Sequence, residues 1–68
     1  MGAMPTKGRT LKVARVRAGV NQTELAARWG KHRNTVIRLE GLAEVPAEHV
    51  EGYLRALATF AEQPDTAA

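Results

Sequence analysis

Between Gly30 and Glu40 the chain reads GKHRNTVIRLE, a stretch that carries Lys31, His32, Arg33 and Arg38 around the apolar Val36, Ile37 and Leu39. Arg33 and Asn34 stand side by side, and both end in forked polar groups. A guanidinium offers parallel donors and a carboxamide offers a donor beside an acceptor, so each can engage a flat partner through two hydrogen bonds at once. In a DNA duplex those forks fit O6 and N7 of guanine and N6 and N7 of adenine. Lys, other Arg side chains and helix N-termini fit the phosphates. The same residues, on an isolated helix, would be an ordinary solvated face.

Such side chains act only if something holds them, and the pattern around them is helical. No segment alternates strictly enough for a strand, and β-branched residues are scattered. Thr10 can cap a first helix that runs through Ala18, with Leu11 and Ala14 inward, Val13 either inward or at the edge of that face, and Gly19 after its end. Asn21 and Glu24 have the spacing of a capping box for a second helix, whose inward face is Leu25, Ala26 and Trp29 and which Gly30 closes. A third helix runs from Arg33 to Leu39 or Glu40, with Val36 and Leu39 inward, and Gly41 stops it. Pro46 suits the first position of a fourth helix. There Val50, Tyr53, Leu54, Leu57, Phe60 and Ala61 form an apolar stripe, and Pro64 ends it.

Size and charge bound the partners. The chain has 68 residues and no Cys, enough for one small domain without disulfide or thiolate-metal support. No apolar run approaches the roughly 20 residues that cross a membrane, and MGAMPTKGRT has no signal-peptide core. A cytoplasmic location is the expectation. Residues 1–39 hold nine Lys and Arg against one acid, Glu24, whereas residues 40–68 hold Arg55 against six acids. The net charge of +3 therefore hides a dipolar molecule. A basic half suits a polyanion and an acidic half is kept away from it, although two solvated faces would look the same.

The two short helices 22–29 and 33–40, joined by a few residues around Gly30, have helix-turn-helix spacing. Leu11, Arg15, Gly19, Val20, Gln22, Glu24-Leu25-Ala26, Gly30, Thr35-Val36 and Arg38-Leu39-Glu40 together resemble the Cro/CI-type (Xre-like) helix-turn-helix family. VPAEHVEGYLRAL is similar to a variant found in small antitoxin-like members. The resemblance covers about residues 10–58. It implies an all-α, four- to five-helix lambda-repressor-like domain over residues 10–62, after a flexible basic arm at 1–9 and before a disordered tail at 63–68. Residues 1–3 look like a cloning remnant. Two positions depart from the family pattern: Lys31 stands where an apolar residue is usual, and His32 where Ser or Thr usually caps the recognition helix.

The expected function is sequence-specific binding of double-stranded DNA by a small transcriptional regulator, a repressor of phage, mobile-element or autoregulatory type. Arg33 and Asn34 are the expected base readers, with Ile37 either on a thymine methyl or in the core. Gln22 resembles the family's phosphate ligand. Lys31, Arg38, Lys7 and Arg9 are further phosphate candidates, and Thr35 is either another or a local cap. The resemblance also suggests an internal pair between Arg15 and Glu40. A homodimer on a two-fold site is expected to pair through Val50, Tyr53, Leu57 and Phe60. Trp29 reads as core rather than as a stacking platform. Gly52, which costs about 1 kcal/mol against Ala in a helix, reads more simply as tolerated than as a close helix approach.

No cofactor or metal is expected, since His32 and His49 lack companion ligands, and no nucleophile–base pair or phosphate-cradling glycine loop suggests an enzyme. The alternative is an antitoxin-like module whose main target is a partner protein, with DNA binding secondary.

Overall fold

A computed structural model describes residues 6–62, the side chain of Glu62 excepted. The described chain is all-helical: α1 (Gly8–Arg17), α2 (Gln22–Trp29), α3 (Arg33–Glu40) and α4 (Ala47–Glu62). Both α3 and α4 pack against α1 and α2. Leu11, Val20, Leu25, Ala26, Val36, Leu39, Val45, Tyr53 and Ala56 form the core, with Trp29, Val50, Leu57 and Phe60 packed on its flank.

Local chemistry sets the middle helices. Asn21 Oδ1 accepts from the Glu24 N–H at 2.8 Å while Glu24 Oε1 accepts from the Asn21 N–H at 2.9 Å, so two N-terminal donors of α2 are satisfied reciprocally. At the other end Gly30 takes φ 78°, a left-handed turn that glycine adopts without a Cβ penalty. The Lys31 N–H then reaches back to the Ala26 carbonyl at 2.9 Å. A similar closure ends α1, where Val20 N–H bonds the Arg15 carbonyl at 3.2 Å and buries its side chain in the core.

The first helix starts earlier than its sequence suggests. Thr10 is not its cap: α1 begins at Gly8, preceded by Lys7, which makes no side-chain cap. The cause is tertiary. The Gly8 N–H donates to the Leu42 carbonyl at 2.9 Å, and a Cβ there would overlap the Leu39 carbonyl. Just before it, Thr6 bridges Val45, whose N–H meets the Thr6 carbonyl at 2.8 Å. Within the span 1–9 expected as an arm, Thr6 bridges Val45, and Gly8 and Arg9 belong to α1. Residues 1–5 and the tail 63–68 lie outside the described residues. Pro46 also stands one place earlier than expected, just before α4, where its carbonyl accepts from the N–H groups of His49 and Val50.

Candidate nucleic-acid interface

The short turn Gly30–His32 sets α3 against α2 so that Val36 and Leu39 enter the core. With that face fixed, Arg33, Asn34, Ile37 and Arg38 fall on the opposite, exposed side of the helix. Ile37 is 40% exposed, which excludes it from the core and leaves an apolar contact between two basic side chains. Thr35 is half-buried, and its backbone N–H bonds the His32 carbonyl at 2.9 Å. His32 itself supplies the cap: its Nδ1 accepts from the Asn34 N–H at 3.2 Å, in the role Ser or Thr would play. Lys31 is exposed, and its ammonium lies over the Trp29 ring, 5.9 Å from its centre. Lys7 and Arg9 are exposed beside the start of α1.

The far end of α3 is anchored by Glu40, which is buried. Arg15 grips its carboxylate with two bonds, Nε to Oε2 at 2.7 Å and Nη2 to Oε1 at 3.1 Å, and turns Nη1 to the Val20 carbonyl at 2.8 Å. Gln22 Nε2 donates to Oε1 at 3.0 Å. Tyr53 donates its hydroxyl to Oε2 at 2.6 Å, and the Leu11 carbonyl stands 3.0 Å from the Tyr53 hydroxyl oxygen. One carboxylate thus collects donors from α1, α2 and α4. Burial pushes the Glu40 pKa up, but the hydrogen bonds from Arg15, Tyr53 and Gln22 outweigh it and hold the group below the ordinary carboxylate value. The hydrogen bond to Glu40 raises Arg15, and burial followed by that same carboxylate raises Tyr53.

This cluster brings Arg15 and Glu40 together and redefines two other residues. Gln22, a phosphate candidate, is half-buried with one amide hydrogen committed to Glu40. Tyr53 cannot form part of a dimer surface, because it is 0% exposed and its ring meets Trp29 edge-on at 6.0 Å. Val50, Leu57 and Phe60 are likewise packed on the core flank, with Phe60 under the Arg28 guanidinium at 4.3 Å. The stripe expected to pair two molecules is mostly spent inside one. A sequence signal for Tyr53 existed: a tyrosine within an apolar stripe needs a buried partner for its hydroxyl. The contact between Arg28 and Phe60 had no such signal.

No group of three or more potential metal ligands occurs among the described residues. No helix among them is long and apolar enough to cross a membrane. Comparisons with family models, with curated proteins and with solved structures returned no match.

Proposed function

We propose that this chain is a sequence-specific double-stranded DNA-binding regulator, acting as a repressor where its site overlaps a promoter. In this reading α2 and α3 are a helix-turn-helix unit in a lambda-repressor-like domain, and α3 enters the major groove. The observation that carries it is the outer face of α3, where Arg33, Asn34, Ile37 and Arg38 are all exposed on a helix fixed at both ends. Arg33 and Asn34 read base edges from the first turn, Ile37 meets a thymine methyl, and Arg38, Lys31, Thr35, Lys7 and Arg9 contact phosphate. Gln22 acts chiefly by holding Glu40, and its second amide hydrogen remains for phosphate. Selection of bound duplexes from a random pool tests the reading. The wild type should enrich one short sequence, and Arg33→Ala should lose about 1–3 kcal/mol and relax the preference at one base pair. An unenriched pool would defeat the reading, and an unchanged preference in the variant would remove Arg33 from the base readers.

One observation favours a second reading, an antitoxin-like module bound to a partner protein. The outer face of α4 exposes Glu48 and Glu51 beside Leu54, a surface of no use to phosphate. Charge reversal at Glu51 would then abolish partner binding and leave DNA affinity intact, whereas Arg33→Ala would do the reverse.

A further inference from the structure

With most of the α4 stripe packed inward, the large apolar side chains left in solvent include two on α1 and Leu54 of the stripe itself. On α1, Val13 is 44% and Val16 59% exposed, one turn apart on the same outer face. Single exposed apolar residues need no explanation, but these two line a depression of about 430 Å³ together with Arg9, Lys12, Arg17 and Glu40, whose carboxylate is already held by Arg15. Phosphate gains nothing from a valine floor. The surface instead suits an apolar knob flanked by acids.

The same chain carries that complement. Leu54 is 43% exposed on the outer face of α4, and Glu51 and Glu48 precede it by about one and two turns. Among the described residues Glu51 is held only by an exposed contact with Arg55 at 3.7 Å, a pair that is easily exchanged for another. The two surfaces cannot meet within one molecule. The inner sides of α1 and α4 face each other, with the Tyr53 hydroxyl 3.0 Å from the Leu11 carbonyl, so Val16 and Leu54 are directed away on separate outer faces.

We propose that the chain associates with itself head to tail, the Leu54 face of α4 from one copy seated on the Val13–Val16 face of α1 from the next, with Glu48 and Glu51 against the basic rim. Because the joined patches differ, a head-to-tail contact leaves one patch of each kind free at the ends of an open assembly, and growth of such an assembly is stepwise. The apolar knob is small and the charges are exposed, so association is weak and weakened further by salt. The face shares Arg9 with the proposed phosphate contacts, but the inference concerns the DNA-free protein and holds whether or not the chain binds DNA.

Sedimentation of the DNA-free protein from micromolar to millimolar concentration tests it, using Val16→Asp to close the α1 face and Leu54→Lys to close the α4 face. Both positions are exposed, and circular dichroism of each variant checks that the helices persist. Wild type should gain average mass with concentration, pass the mass of a dimer, and return toward monomer in high salt. Each variant alone should stay monomeric. Mixed in equal amounts, the two should form a one-to-one pair and nothing larger, because each retains the face the other lacks. A wild type that remains monomeric or stops at a dimer overturns the proposal, as does a mixture that fails to pair. It is also overturned if Val16→Asp lowers DNA affinity while self-association is unchanged, which would assign the α1 face to nucleic acid.

Discussion

Glu40 is the residue on which the geometry of α3 depends. Four hydrogen bonds from three other helices converge on its carboxylate, and its partner Arg15 is equally withdrawn from water. Removing one member strands the other charge, which in a buried pair costs about 3–5 kcal/mol. Arg15→Ala and Glu40→Ala should each lose that order of stability, and the double variant should lose far less than their sum. Additive losses in urea melts would show that the two do not interact energetically. The cluster also sets the response to pH. Glu40 is held below its ordinary value in the folded state, so its contribution is present above that value and fades as pH falls through it toward the folded one. Tyr53 is raised, so its contribution is full below the ordinary tyrosine value and fades as pH climbs past it. Stability should therefore fall on both sides of a neutral plateau, and Tyr53→Phe should remove the alkaline fall while Glu40→Gln blunts the acid one. Of this cluster, Arg15 and Glu40 were legible through family resemblance. For Tyr53 the need of its hydroxyl for a buried partner was legible, but not which partner, because an apolar stripe at helical spacing looks the same whether it faces its own core or a second molecule.

At the scale of elements, local signals located the helices well wherever the chain's own neighbours decide their ends. Asn21 with Glu24, and Gly30 in its left-handed turn, bound α2 by chemistry within a few residues. The start of α1 was illegible because it is decided by the Leu42 carbonyl, far along the chain. Gly52 was misread for the same reason. It is not merely tolerated: a Cβ at Gly52 would stand 2.6 Å from Trp29 Nε1, so α4 passes close over the indole of α2. The Trp29 ring is also engaged edge-on by Tyr53, which limits its retreat. Gly52→Ala should therefore destabilise by about 1–3 kcal/mol through overpacking, against a helix-propensity gain of about 1 kcal/mol. Gly41 is the control. An added Cβ there meets nothing closer than the Arg38 carbonyl at 3.6 Å, and its φ of −93° suits any residue, so Gly41→Ala should be nearly neutral. Equal denaturation midpoints for the two variants would contradict the close approach of α4 to Trp29.

The whole molecule is organised by charge as well as by packing. Basic side chains dominate the sequence up to Leu39, and the exposed acids Glu44, Glu48 and Glu51 follow α3 and occupy α4. Since α3 and α4 each use their inner faces against α1 and α2, their outer faces carry opposite chemistry on different surfaces. That division was visible in the sequence as a charge asymmetry, but which apolar side chains would stay in solvent was not, because exposure depends on how α1 and α4 turn in the assembled bundle. On the proposed reading, DNA meets the α3 side, and each phosphate neutralised there releases condensed counterions. Log affinity should fall linearly with log salt by about 0.9 for every phosphate contacted. Arg38→Ala should remove one contact and make the slope shallower by about that amount while the selected sequence stays the same. Glu51→Lys raises the net charge by two, against the loss of one in Arg38→Ala, but places the change on the outer face of α4, where no phosphate is bound. It should therefore change the slope by far less than Arg38→Ala does, although both variants alter the molecule's charge. Affinity measured over a salt series for the three proteins distinguishes a localised interface from general attraction between a basic protein and a polyanion. If Glu51→Lys steepens the slope as much as Arg38→Ala flattens it, or more, net charge governs binding and the α3 face is not the interface. A wild-type slope near zero would exclude the phosphate contacts altogether.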